Sequence, residues 1–247
     1  MLIFAVDSSG ATGSAAIVRD EILVSERFLN TGLTHSETLL SLCDGVFSDT
    51  GYSPSDIDYY AVSSGPGSFT GLRIGISAVK GMAFAEDKPC VGISTLEAYS
   101  RSVLFSDAVI TPVLDARRDR VYCAAFLKQL DGKLTRILKD SIMTIEDLTE
   151  TLTSFRLPVL FVGDAGEICQ SRCETKIAVI PAPGYLKYLR ASSVAAAAYE
   201  QILLGNTLSA GKLVPNYIQQ SQAEREIGDT RGCKEIIWQI NTETSGK

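Results

Sequence analysis

The sequence predicts an α/β protein of two lobes, each a β-sheet flanked by helices. Three observations carry this. Short apolar runs of strand length alternate with helix-period segments. The first half orders them β-β-β-α-β-α-β. The second half opens again on three strands, which points to a duplicated lobe. The expected boundaries are 1–105 for the first lobe, 106–218 for the second and 219–247 for a polar tail.

Leu2 to Val6 is a continuous apolar run, as in a strand buried on both faces. The turn Asp7-Ser8-Ser9-Gly10-Ala11-Thr12-Gly13 follows, then strands over Ser14–Val18 and Ile22–Arg27, making a meander. Thr34 with Glu37 forms a capping box, and Gly51 suits the C-terminal stop of the helix between them. Tyr59–Ser63 is a fourth strand. The loop Gly65-Pro66-Gly67-Ser68-Phe69-Thr70-Gly71 opens a helix from Leu72 to about Ala85, with Ser68 or Thr70 as its N-cap. Val91–Ile93 reads as a strand and Thr95–Leu104 as a helix. Beyond these, strands are expected at Val109–Leu114, Val121–Leu127, Leu134–Leu138, Val159–Val162 and Ile177–Ile180. Helices are expected at Ile145–Leu152, around Cys169, and from a Ser192 or Ser193 cap to Leu204. The tail is polar apart from Ile236-Ile237-Trp238.

Composition narrows the function. The 247 residues are 45% hydrophobic and 21% charged, so a chain of this size buries about 70% or more of its unfolded surface without staples. No apolar stretch reaches the roughly 18 residues of a membrane span. The run Met1–Asp7 has no basic region and is broken by an aspartate, so it reads as a strand and not a leader. Against 23 basic residues stand 29 acidic ones, a net charge of −6, so affinity for a nucleic acid would need a local patch or a partner. His35 is the one histidine, which excludes a multi-histidine metal site and the histidine pair of an H-E-x-x-H protease. The six cysteines sit mostly in apolar runs and read as reduced core thiols. Cys169-x₃-Cys173 lacks the second pair that a metal site needs.

Two turns carry potential chemistry. Asp7-x-Ser9 and its small neighbours resemble the first phosphate hairpin of actin-like ATPases, where backbone amides approach an anion. Gly65-Pro66-Gly67-Ser68 offers amides at a helix N-terminus, without the Gly-Lys-Ser/Thr ending of a P-loop. The candidate phosphate residues are therefore Asp7, Ser9, Gly65, Gly67 and Ser68. An ordinary capped turn explains the same residues. The charged turn Arg117-Arg118-Asp119-Arg120 is the compact basic patch of the chain, and such runs are mostly solvated. The helix from Leu72 is apolar nearly all round, and the helix from Thr34 carries both Leu39 and Leu40. A second apolar face needs a second neighbour. Packing on the protein's own sheet is the competing explanation.

The runs "FAVDSSGATGSAAIV", "THSETLL", "VSSGPGSFTGLRIGISAVKGMAFA", "VGISTLEA", "LDARRDRVYCAAF" and "LVPNYIQQ" resemble, in this order, the bacterial TsaB (YeaZ) family. The likeness covers most of the chain and is strongest from Met1 to about Phe126. It implies the actin-like ATPase (ASKHA) superfold. It implies a non-catalytic, cytoplasmic partner of the TsaD threonylcarbamoyltransferase and the TsaE ATPase, which together make N6-threonylcarbamoyladenosine next to the tRNA anticodon. On this reading tRNA is met indirectly, through the complex. The isolated chain is expected to be a homodimer, to bind no cofactor alone and to meet ATP or ADP only at the complex interface. The alternative is an actin-like ATPase or phosphotransferase acting on its own. TsaD-like proteins carry an H-x-x-x-H metal pair on the first helix; here the positions are His35 and Leu39, so the pair is absent. The expected partner surface comprises His35, Leu39, Leu40, Cys43, Phe69, Leu72, Arg73, Gly75, Ile76, Val79 and Lys80.

Overall fold

The structure, a computed structural model, describes residues 1–103, 108–129 and 132–218. Strands β1 (Leu2–Asp7), β2 (Gly13–Arg19) and β3 (Ile22–Leu29) form the expected antiparallel meander. Strands β4 (Tyr59–Gly65) and β5 (Cys90–Ser94) join parallel to β1, in the order β3-β2-β1-β4-β5. Side chains alternate across a strand, so β1 serves two cores. Leu2, Phe4 and Val6 meet helices α1 (His35–Thr50) and α2 (Phe69–Ala85); Ile3 and Ala5 meet α3 (Thr95–Arg101) and α6 (Ala191–Leu203).

The second sheet is built from β6 (Val109–Asp115), β7 (Arg120–Lys128), β8 (Leu134–Thr144), β9 (Val159–Val162) and β10 (Val179–Ile180), in the order β10-β9-β6-β7-β8. Helices α4 (Ile145–Ser154) and α5 (Gly166–Cys173) cover its outer face, packing on Val109, Val113, Val121 and Phe161. Its inner face, through Ile110, Leu114, Phe126 and Val162, shares one continuous core with the first sheet, α3 and α6. A charge network adds to that junction. Arg136 on β8 bonds Glu97 of α3 at 2.7 Å, pairs with Asp140 and lies 4.5 Å over the Phe126 ring. Arg101 of α3 pairs with Glu200 of α6.

Most elements fall where the sequence places them, with differences at their ends. The capping box of Thr34 and Glu37 is present, and Gly51 ends α1 in the left-handed conformation. Ser68 caps α2, accepting from the Gly71 amide, and the helix starts at Phe69, three residues before Leu72. Strand β8 runs to Thr144, six residues past the expected end, because it pairs along all of β7. The described part of the helix expected to Leu104 ends at Arg101, and Leu104 itself lies outside the described residues. So do the tail from Gln219, Cys233 and the Ile236-Ile237-Trp238 patch. The five described cysteines are free and buried.

The range 106–218 does not pack as one lobe. Met1–Asn216 form one compact unit, and α6 lies on the first sheet. Segment 208–216 also returns there: Leu208 exchanges backbone bonds with Cys90, and the Asn216 amide donates to the Ser64 carbonyl at 2.7 Å. No local serine caps α6, contrary to expectation. Arg190 is the N-cap and makes no side-chain cap bond. The caps come from the first sheet instead: Ser14 Oγ accepts from the Ala191 amide at 2.8 Å, and Glu26 accepts from the Ser192 amide at 2.9 Å and pairs with Arg190 at 2.7 Å. A carboxylate at a helix N-terminus satisfies orphan donors and complements the dipole.

The Glu26→Ala variant is therefore expected to lose about 1–2 kcal/mol of stability, as for loss of a helix cap. Urea unfolding checks this, with Glu21→Ala, an exposed position in the turn between β2 and β3, expected to stay within about 0.5 kcal/mol of the parent.

Candidate functional site

The residues singled out by the sequence meet where β1 ends. The turn after Asp7 folds over the N-terminus of α2, and the two backbones touch. Ser9 offers its carbonyl to the Ser68 amide at 2.7 Å. Ser8 Oγ donates to the Gly71 carbonyl at 2.8 Å. A Cβ at Gly67 would strike the Ser9 carbonyl, one at Gly71 the Ser8 carbonyl, and one at Gly75 the Ser8 hydroxyl. Gly71 and Gly75, four apart, share a face of α2, and with Gly67 just before the helix they form the strip on which the turn rests. Gly67 has φ of +159°, close to extended backbone, so its need for glycine comes from the approach of Ser9. His35, at the first position of α1, closes the other side. Its Nε2 lies 2.8 Å from the Gly10 carbonyl, an acceptor, so this nitrogen carries hydrogen.

Asp7 sits at the centre of this junction and is 1% exposed. Its Oδ1 accepts from the Ser9 amide at 3.2 Å and from Ser9 Oγ at 2.7 Å. Its Oδ2 and the neighbouring Ser63 Oγ make no hydrogen bond of normal length, although the Ser63 hydroxyl stands close enough to favour the carboxylate. Burial pushes the Asp7 carboxyl above the usual carboxylate range; Ser63, Ser9 and the His35 ring pull the other way without reversing it. In the second lobe, Asp164 is also raised, first by burial, although its Oδ1 accepts from the Asp115 amide at 3.0 Å. Burial pushes the Tyr99 hydroxyl well up, and the charges of Asp7 and Asp164 add to this.

The fold thus brings Asp7, Ser9, Gly67 and Ser68 together, but their hydrogen bonds point at each other. The Ser9 amide is spent on Asp7 and the Ser68 amide on Ser9, while Asp7, Ser9 and Gly65 are buried. Two of the donors that would meet an anion, the Ser9 and Ser68 amides, thus hold the turn together and to the helix. No cluster of three or more metal-ligating side chains occurs among the described residues.

The expected partner residues divide. Leu39, Cys43, Leu72, Gly75, Ile76 and Val79 are buried on the chain's own sheet or turn, so at these positions inward packing accounts for the apolar character. Leu40 is 65% exposed, Arg73 is exposed, and His35, Phe69 and Lys80 are half-buried. Phe84 of α2, outside the expected set, is 79% exposed. Its place on the outward side follows from the helical period once Gly71 and Gly75 are known to face in. Burial pushes the Cys43 thiol up to about 12, which keeps it protonated and inert.

The family description tRNA N6-adenosine threonylcarbamoyltransferase (TsaD) fits residues 30–227 of this sequence. The chain belongs to the TsaD family. Within it, this TsaD-family chain sorts with the TsaB (YeaZ) proteins. It is 29% identical to the tRNA threonylcarbamoyladenosine biosynthesis protein TsaB of Bacillus subtilis over 227 residues, which is 91% of this chain and 96% of that protein. With TsaB of Escherichia coli it shares 31% identity over 134 residues, 53% of this chain and 58% of that one. The solved structure of YeaZ from Pseudomonas aeruginosa matches the fold with a TM-score of 0.74, at 22% identity, over 87% of this chain and 99% of the other.

Two measurements follow. A methyl at Gly71 has backbone against it, so Gly71→Ala should cost about 1–3 kcal/mol by overpacking. Gly81, with open space around its Cβ position, should gain about 0.5–1 kcal/mol as alanine in the same denaturant titration. The second concerns Asp7. Its folded-state pKa is raised, so the native chain holds a proton that the unfolded chain has released. Stability from this group therefore falls as pH rises above about 4, the unfolded value, and stays lower above the folded pKa. Urea midpoints of Asp7→Asn should gain on the parent as pH rises toward neutrality; a difference independent of pH would contradict the assignment.

Proposed function

We propose that this chain is a non-catalytic subunit in the biosynthesis of threonylcarbamoyladenosine on tRNA, working as the cytoplasmic partner of a TsaD threonylcarbamoyltransferase and as a scaffold for the TsaE ATPase. The observation that carries the reading is the pairing of a TsaD-family sequence with a first helix that lacks the metal pair. His35 is bound to the Gly10 carbonyl, and the position four residues on is Leu39, buried in the apolar core. The full-length likeness to a protein named for this pathway supports the same reading. The absence among the described residues of any helix long and apolar enough to cross a membrane supports the cytoplasmic part.

The partner surface is the outward side of α1 and α2, which lie together on one face of the first sheet and present Leu40 and Phe84. In the isolated chain the same side mediates a homodimer. The chain alone holds no nucleotide, and ATP or ADP belongs to the assembled complex. An independent actin-like ATPase loses support because the Ser9 and Ser68 amides are already engaged.

Leu40→Glu combined with Phe84→Glu should abolish co-elution with a TsaD protein in size-exclusion chromatography and leave the circular dichroism spectrum unchanged. Gly75→Arg should instead unfold the chain, because its side chain would enter the Ser8 site. Retained co-elution of the double variant places the partner elsewhere. Threonylcarbamoyl transfer by the purified chain alone would show it to be an enzyme.

A further inference from the structure

The turn joining β6 to β7 has an unusual backbone. Arg117, Arg118 and Asp119 take φ values of 63°, 54° and 61°, three consecutive non-glycine residues in the left-handed region. The Arg120 amide bonds the Arg117 carbonyl at 3.2 Å, so Arg118 and Asp119 are the central residues of a tight hairpin turn. Asn-Gly or Asp-Gly ordinarily fills those positions, because a Cβ disfavours the conformation. Strain of this kind persists where the surroundings enforce it and clusters at functional sites. Here the Arg117 amide donates to Asp115 Oδ1 at 2.7 Å, the Asp115 amide donates to Asp164, and Asp119 pairs with Arg172. The carboxylates beneath the turn are thus committed to backbone amides, and the one on it to an arginine.

What the turn holds out is positive and unclaimed. Arg27, Arg101, Arg136, Arg172 and Arg190 are all in ion pairs. Arg117 and Arg118 are exposed, and among the described residues neither guanidinium has an ion-pair partner. The amides of Arg118 and Asp119 likewise have no acceptor among the described residues. A held loop with two free guanidiniums and two free amides at its tip suits a tetrahedral anion with several acceptor oxygens. Successive backbone N–H groups in a turn can form an anion-binding concavity, and guanidinium matches phosphate in bidentate fashion. The net charge of −6 makes this local concentration the more notable.

We propose that the β6–β7 turn is a phosphodiester contact, through which the chain itself touches the backbone of tRNA. This rests on the reading of the protein as a component of tRNA modification, and adds to it a direct contact where the sequence alone implied an indirect one. The contact is independent of base sequence and sensitive to salt, because counterions leave the phosphates when the arginines arrive.

The test titrates the full chain with unmodified, transcribed tRNA over a salt series starting at low ionic strength. Glycine adopts the left-handed conformation freely, so Arg117→Gly combined with Arg118→Gly removes both charges while easing the turn. That variant should melt no lower than the parent and bind tRNA with a salt slope shallower by about 1.4–1.8, at 0.7–0.9 per lost phosphate contact. The lysine pair at the same positions should keep most of the slope. Arg156 supplies the control: it is exposed, has φ of 54°, and lies just before the start of β9, at the opposite end of the second sheet. Arg156→Gly removes one charge and should leave the slope unchanged. Binding by the glycine pair equal to the parent, equal weakening by Arg156→Gly, or no binding by the parent at low salt would each overturn the proposal. Lost co-elution of the glycine pair with TsaD, with tRNA binding intact, would assign the turn to an acidic protein surface. Failure of the parent to co-elute with TsaD tells against the proposed function and leaves the tRNA titration as a separate result.

Discussion

The contact on which the first lobe depends is the seating of the turn after β1 against the first turns of α2. Backbone meets backbone there, with the Ser9 carbonyl against Gly67 and the Ser8 carbonyl against Gly71, and the Ser8 hydroxyl bonds the Gly71 carbonyl. Such an approach is available only to glycine on the helix side. Once made, it fixes the direction of α2 across the sheet, places Leu72, Ile76 and Val79 over the core, and leaves Phe84 outside. His35 then ties α1 to the same turn, so one small junction orients both helices.

This junction occupies the position where the sequence suggests phosphate binding. The two readings use the same atoms in opposite ways. An anion site needs donors left open to solvent; here the Ser9 amide bonds Asp7, the Ser68 amide bonds the Ser9 carbonyl, and Asp7 is enclosed. The continuous core between the two sheets, with Arg136 bridging Glu97 and Asp140, adds to the picture of lobes held together. Among the outward-facing features are Leu40 and Phe84 on the helix pair and a strained basic turn, both suited to contacts with other molecules.

Much of the fold was legible because local chemistry and tertiary packing agree. The Thr34–Glu37 capping box, Gly51 and the run Val159–Val162 each state their element in a few adjacent residues. The errors share a cause: the deciding partner is far away in sequence. The start of α6 is capped by Ser14 and Glu26, more than 160 residues earlier, so a local serine looked like the cap. Segment 208–216 closes on Cys90 and Ser64 through backbone bonds that leave no side-chain pattern. Gly75 and Gly81 look alike in the sequence, yet one faces Ser8 and the other open space. Helical periodicity shows that α2 has two apolar faces; only the position of the turn decides which is inside. The left-handed run Arg117–Asp119 was hidden for a related reason, since arginine carries no signal for that conformation and a single aspartate beside it is a weak one.

With its Ser9 and Ser68 amides engaged, the first turn acts as a structural junction in the free chain. Native-state hydrogen exchange at the Ser68 amide, followed with and without magnesium ATP, tests it most directly. If this amide is held by the Ser9 carbonyl, it exchanges only through large-scale opening, at a rate that ATP does not alter. Fast exchange in the free chain that slows when magnesium ATP is added would contradict the account.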